Sequence, residues 1–228
     1  MRRLLTMCAI SLVAVAATPA MGGWVVTSVQ DLPEYLVAGA PTTITFAIRQ
    51  HGATLMRGRE PTVRVRAVEA SFFNRGDRFR ATSAEPARPG SYRAIITARD
   101  TGLVEITIDA DFNGQQTVLL PMRVVAPGVR PAALAAAERG QHLFIGKGCY
   151  SCHVKEDDPE VYVRNRAHVG PDLTGRRFPI EYLTLKLSDP AAGRTARYGD
   201  VVMPDLELSP QEIAALTSYI NGATTARR

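Results

Sequence analysis

Two different hydrophobic periods divide the chain. Between residues 23 and 127 apolar and polar positions alternate. Ile44, Phe46 and Ile48 share one face of the run from Thr42 to Ile48. Val63 and Val65 share another, with Arg64 and Arg66 opposite them. Shorter runs carry Ile96, then Val104, Ile106 and Ile108, then Val118. A period of two is that of a half-buried strand. Gly39-Ala40-Pro41, Arg88-Pro89-Gly90, Thr101-Gly102 and Asn113-Gly114 punctuate the runs as turn signals. Turns at intervals of about ten residues predict an all-β, antiparallel sandwich of roughly seven strands.

Residues 126–131, Ala-Pro-Gly-Val-Arg-Pro, interrupt this pattern, with 128–131 as the linker. Beyond them the period becomes helical. Ala132 to Lys147 is rich in Ala, Leu and Glu and predicts a helix ending near Gly148. Ile180 to Leu187 predicts another. The last helix has the fullest signature. Ser209 is its N-cap, Pro210 its first residue, and Glu212 completes a Ser-x-x-Glu capping box. Ile213, Leu216 and Ile220 form its apolar stripe, and Asn221-Gly222 stops it. The expected organisation is a leader at 1–22, a β-sandwich at 23–127 and a helical domain at 132–228.

The leader reads as an export signal. Met1-Arg2-Arg3 is a charged start, Leu4 to Ala17 an apolar core, and Thr18-Pro19-Ala20 and Ala20-Met21-Gly22 offer small residues for cleavage. The core is shorter than the roughly 18 apolar residues of a membrane span, although an uncleaved anchor is the competing reading. Either way the expected location is the periplasm or the outer face of the cytoplasmic membrane.

Composition narrows the partners. With 46% hydrophobic and 21% charged residues the chain of 228 is globular rather than disordered. Aromatics are only 7%, so the cores rest on Val, Ile, Leu and Ala. The net charge of +5 comes from 27 basic and 22 acidic side chains spread along the whole length. No basic cluster marks a nucleic-acid footprint, and none is expected as a partner.

The cysteines carry the chemistry. Cys8 lies within the leader, before its apolar run ends, and so not where a lipoprotein cysteine stands. Cys149 and Cys152 fall in Cys149-Tyr150-Ser151-Cys152-His153. Cys-x-x-Cys-His is the attachment pattern of c-type haem. Two thiols at this spacing lie on one side of a helical turn and add across the two vinyl groups of the porphyrin. The following His then supplies a nitrogen to the iron. A zinc site would need more ligands nearby than His168. A thioredoxin-like pair would need a preceding strand, where here a helix precedes. For the sixth ligand the following segment offers one Met, Met203, and one His, His168. Pro204 pushes Met203 towards an extended backbone, and a Met in a loop before the final helix can reach over a flat cofactor. Its alternative use is as a gap-filling core residue.

Residues 132–228 resemble a class I cytochrome c domain. The resemblance rests on Gly140-Gln-His-Leu-Phe144, the Cys149–His153 motif, Gly170-Pro-Asp-Leu-Thr-Gly175, Met203-Pro204 and the terminal helix. It implies an all-α fold with one covalent haem c bound at Cys149 and Cys152, and His153 and Met203 as axial ligands. It implies that the first and last helices cross at Gly140, with Phe144 meeting the Leu216/Tyr219 region. It implies that the Pro171 carbonyl accepts the imidazole N–H, and that Arg194, Arg197 and Tyr182 are candidate propionate partners. His142 is expected on the surface or in helix packing. The implied function is single-electron transfer with a redox protein or a respiratory or photosynthetic membrane complex. Two alternatives are a haem enzyme or gas sensor in which Met203 is labile, and a copper or oxidase assembly factor.

Residues 24–127 resemble the immunoglobulin-like modules of the FixH/YtkA type, on Leu36-Val-Ala-Gly39, Thr43 to Gly52, Pro89-Gly-Ser-Tyr-Arg93 and Asp100 to Ile106. Some members are linked to copper or oxidase biogenesis, which makes His51 and Met56 a candidate copper pair. Arg57, Arg59, Arg64, Arg66, Arg75, Arg78 and Arg80 alternate with Glu60, Glu69 and Asp77 and read as a solvated face. No nucleophile–His pair or carboxylate dyad stands out.

Overall fold

The computed structural model describes residues 23–68, 80–164, 169–192 and 203–222. The leader with Cys8, and His168, Arg75, Arg78, Arg194 and Arg197, lie outside them.

The alternating half forms two sheets. In chain order the strands are β1 (Val25–Val29), β2 (Tyr35–Val37), β3 (Pro41–Gln50), β4 (Thr54–Leu55), β5 (Thr62–Ala67) and β6 (Arg80–Ser83). They continue as β7 (Glu85–Arg88), β8 (Ser91–Thr97), β9 (Gly102–Asp109), β10 (Gln116–Val118) and β11 (Met122–Val125). One sheet runs β1-β3-β8-β7 with β4 on β3. The other runs β2-β11-β9-β5-β6 with β10 on β9. Ile44, Phe46, Ile48, Val63, Ile106 and Ile108 are fully enclosed between them. Phe46 pairs across the ladder with Tyr92, their rings 6.0 Å apart, and the Tyr92 hydroxyl donates to the Met56 carbonyl at 2.8 Å.

The structure corrects the expectation of about seven antiparallel strands: the described residues hold eleven, and β2 runs parallel to β11. Among the strands that no run in the sequence marked, β2, β4 and β7 are two to four residues long. Such pieces are too short to show a period of two, and the sense of a pairing between distant segments leaves no local mark.

The second half contains α1 (Ala136–Gly146), a 3₁₀ turn at Cys149–Ser151, α2 (Pro159–Tyr162), α3 (Ile180–Ser188) and α4 (Pro210–Asn221). The capping box of α4 is present in both directions: Ser209 Oγ accepts from Glu212 N at 3.2 Å, and Ser209 N donates to Glu212 Oε2 at 2.9 Å. The first helix begins at Ala136, later than Ala132. Its N-cap, Ala135, supplies no side-chain cap, and Leu134 N donates instead to the Glu34 carboxylate of the sandwich.

Helices α1 and α4 cross at Gly140. A Cβ there would lie 2.1 Å from the Ala215 carbonyl oxygen, so any larger residue forces the helices apart. One turn on, the Phe144 and Tyr219 rings meet at 5.3 Å.

The two halves are joined along β1. All five of its residues are buried, although it is an edge strand of its sheet. The end of α1 and the turn after it cover that edge, which removes an exposed row of strand hydrogen-bonding groups. Lys147, 2% exposed, donates to the Gln30 carbonyl and pairs with Glu212 Oε1 at 2.8 Å. Arg139 donates to the Leu32 carbonyl at 2.5 Å and faces Glu34 at 3.7 Å. The Tyr150 hydroxyl donates to Thr117 Oγ1 at 3.3 Å.

Candidate functional site

The Cys-x-x-Cys-His segment begins where α1 ends. Gly148 reverses the chain with φ +77°, a region that disfavours side chains. The 3₁₀ turn follows, closed by Cys152 N and His153 N donating to the Cys149 carbonyl at 3.1 and 3.0 Å. One short turn therefore carries both sulfurs, and His153 leaves it directly. Both cysteines are free thiols. The dense protein around them pushes the Cys149 thiol up to about 12, with the Cys152 sulfur adding to burial, and burial pushes Cys152 up to about 11. Reactive redox cysteines are shifted the other way, to stabilise the thiolate. Attachment through carbon–sulfur bonds needs no standing thiolate.

His153 is held from behind. Its Nδ1 lies 2.9 Å from the Pro171 carbonyl oxygen. A carbonyl can only accept, so Nδ1 carries the proton and the lone pair sits on Nε2, the tautomer that suits a metal ligand. Burial pulls the imidazole down, and the Pro171 bond opposes it. Gly170 makes this arrangement possible. A Cβ there would stand 2.7 Å from His153 Cε1 and 2.8 Å from Nδ1. Gly170 N also donates to the Cys152 carbonyl at 2.8 Å, tying the Gly-Pro turn to the motif.

Met203 is partly buried and packs against the hydrophobic core in the irregular segment before α4. That segment also faces the sandwich. Burial pulls the Arg49 guanidinium of β3 down, while the Glu207 and Asp205 carboxylates oppose it. Arg49 and Lys147 line a cavity of about 200 Å³ with Leu206 and Glu207.

The other sequence candidates separate. Tyr182 is exposed and stacks on Phe178 at 5.7 Å. His142 is 8% exposed, which takes it off the surface and into the helix packing. Met56 belongs to the sandwich core, whereas His51 stands exposed in the turn after β3, its ring 5.7 Å from Trp24. Among the described residues no group of three or more His, Cys, Asp or Glu is placed to hold a metal ion.

Sequence reasoning missed several residues. Asp158 is fully buried. It accepts from Tyr219 Oη at 2.6 Å and Gln141 Nε2 at 2.7 Å, and its other oxygen caps α2 through Glu160 N at 3.0 Å. Burial and that carboxylate push the Tyr219 phenol far above its ordinary value. Fully buried Lys155 pairs with Asp157 at 2.9 Å and lies 5.2 Å from the Tyr219 ring centre. This network ties the loop after the motif to the α1/α4 crossing. Scarcity was the one available signal: the chain has only three lysines, Lys147, Lys155 and Lys186, and each is used internally.

The donor set suits a covalently held haem: two neutral sulfurs on one turn, an imidazole with its tautomer fixed, and a glycine that clears the ring. Fold and site together define a cytochrome c domain. The family model for cytochrome c matches residues 137–224, and a domain of this family implies a haem-based electron carrier. The Cys149/Cys152 pair is consistent with covalent haem c. Comparison with curated proteins finds no match. Similar solved structures include the Lin-41 filamin domain, at 13% identity over 43% of this chain and 91% of that chain, TM-score 0.34. The ZirS C-terminal domain is 13% identical over 55% of this chain and 85% of that one, TM-score 0.31. A beta-glucosidase from Listeria innocua is 15% identical over 47% of this chain and 17% of that chain, TM-score 0.31.

Proposed function

We propose that this chain is an exported c-type cytochrome that carries single electrons through one haem bound at Cys149 and Cys152, with His153 and Met203 as axial ligands. The observation that carries the reading is the His153–Pro171 bond at 2.9 Å beside the two-cysteine turn. It holds a half-buried imidazole in the ligating tautomer. The haem supplies a one-electron iron couple. The protein's part would be to hold the imidazole in one orientation through Pro171 and to offer the soft Met203 thioether as the second ligand, which would favour the reduced state relative to two imidazoles.

Export follows from the leader, and a respiratory or photosynthetic membrane complex is the partner that an exported carrier would serve. Among the described residues no helix is long and apolar enough to cross a membrane, so attachment to such a complex would use the leader or the surface of the folded domains.

The test is expression alongside a haem-attachment apparatus. The expected product carries one haem per chain that survives denaturation, and Met203→Ala lowers its midpoint potential and opens the reduced iron to carbon monoxide. A colourless product, or a Met203→Ala variant with unchanged spectrum and potential, defeats the proposal. Rapid, complete carbon monoxide binding by the unmodified protein favours the gas-binding reading instead.

A further inference from the structure

We propose that the sandwich is a clamp for the segment that carries Met203, with Arg49 of β3 as the positioning residue that acts on it through Glu207. This rests on the reading of Met203 as an axial ligand, and it gives the front domain a part in that same site.

Three observations converge. The first is what the irregular segment from Met203 to Ser209 leans on. Met203 and Leu208 are partly buried and pack on the hydrophobic core. Between them, Leu206 and Glu207 line the cavity of about 200 Å³ that Val29 of β1, Arg49 of β3 and Leu55 of β4 also line. The middle of the segment therefore faces the sandwich. The second is how the segment is held. Its far end is fixed, since Glu212 caps Ser209 and pairs with Lys147, which donates to the Gln30 carbonyl of the sandwich. Nearer Met203 no helix or strand supports the backbone. Glu207 N donates to Asp205 Oδ1 at 2.9 Å, and Glu207 adopts φ +52°, a conformation disfavoured for a residue with a side chain. Such a residue persists only where its surroundings hold it. The third is the cation on the facing wall. Arg49 is half-buried, and its Nη1 donates to Ser28 Oγ at 2.7 Å, which fixes the guanidinium to β1. Burial disfavours its charge, and Glu207 is the first of two carboxylates that offset this. Lys147, on the same cavity, is already committed to Glu212 and Gln30.

A thioether is a neutral, weak ligand, so its hold on a metal competes with the freedom of the segment that carries it. Ordering each residue of an irregular segment costs roughly 1–2 kcal/mol of backbone entropy. A segment already ordered against the sandwich has met that cost before the sulfur binds. The clamp thus keeps the sixth position closed, which separates a carrier from a gas-binding protein.

The experiment uses the haem-loaded full chain and takes three readings. They are the far-red charge-transfer band of a Met–iron bond in the ferric protein, the rate of carbon monoxide binding to the reduced protein, and hydrogen exchange of the amides from 203 to 209. Arg49→Gln and Glu207→Gln, made separately, are each expected to weaken the band and to speed both carbon monoxide binding and exchange severalfold. Combining them should add little, because both remove one interaction. Arg49→Lys, which keeps the charge, should stay close to the unmodified protein. An unchanged band and carbon monoxide rate in either Gln variant overturns the proposal. A change confined to Arg49→Gln does so by showing that Arg49 serves only its own sandwich, and Glu207, being exposed, can be altered without disturbing the core. An Arg49→Lys protein as impaired as Arg49→Gln overturns it too. An unmodified ferric protein without the band, or a band that survives Met203→Ala, defeats the ligand reading itself and is distinguishable from these results.

Discussion

The two halves of the molecule are built on different economies of space. The sandwich excludes water with branched and aromatic side chains that fill the gap between its sheets: Ile44, Phe46, Ile48, Val63, Ile106 and Ile108. The helical half is organised by what is missing. Gly140 lets α4 touch α1, and Gly170 lets the His153 ring lie against the backbone. A sandwich core degrades gradually as atoms are removed. A structure built on close approach fails when one atom is added.

Opposite substitutions sharpen this contrast, and they carry the largest expected effects. Phe46→Ala empties part of the sandwich core and should cost about 3–5 kcal/mol. Gly140→Val places branched carbon where the nearest backbone atom is 2.1 Å away from a Cβ, and should cost about 3 kcal/mol or more, at or above the upper end of overpacking. In urea titrations followed by circular dichroism, Gly140→Val should lose the helical signal first and keep the strand signal. Loss of both signals together in that variant would show that the halves unfold as one unit and would remove the contrast.

The seam between the halves is the next target. Lys147 is buried, and it joins the Gln30 carbonyl of the sandwich to Glu212 of α4. Lys147→Met strands a largely covered carboxylate and should cost about 3 kcal/mol. Adding Glu212→Gln should return part of that loss, because the pair and not the charge alone is what the site needs. Full additivity of the two changes in denaturant midpoints would break this account.

These features were unequally legible beforehand. The alternation at Ile44–Ile48, the Ser209–Glu212 cap and the Cys149–His153 motif are local patterns, and each stands where its pattern points. Gly140 was legible only through family resemblance, since a lone glycine in a helical run does not name its neighbour. The parallel β2–β11 pair, the late start of α1 at Ala136, and the Lys147–Gln30 contact depend on segments tens of residues apart. Leu134 illustrates the reason: its helical propensity is ordinary, but its N–H is taken by Glu34, a hundred positions earlier.

Acid tests the same seam more gently. Burial alone would raise the Glu212 carboxyl, but Lys147 and Ser209 more than offset it and hold it below its usual 4.5. Arg139 also feels this charge. A depressed folded pKa contributes stability that is present above 4.5 and lost as pH falls through the lower folded value. Denaturant midpoints should therefore fall on acidification below that point, and the Glu212→Gln variant should show a shallower fall. An identical slope in the two proteins would assign the acid loss to other carboxylates.

The smallest expected effect separates cap from seam. Ser209→Ala removes the oxygen that accepts from Glu212 N, and a lost N-cap costs about 1 kcal/mol. If capping were all, the loss would be the same with or without Lys147. Ser209 N, however, also holds Glu212 Oε2 at 2.9 Å, while Glu212 Oε1 meets Lys147 at 2.8 Å, so one carboxylate closes the cap and the seam together. Loosening the first turn of α4 should then weaken the grip of that carboxylate on Lys147. The expected result is that Ser209→Ala costs less in the Lys147→Met background than alone. Equal costs in the two backgrounds would make the helix cap and the contact between the halves independent.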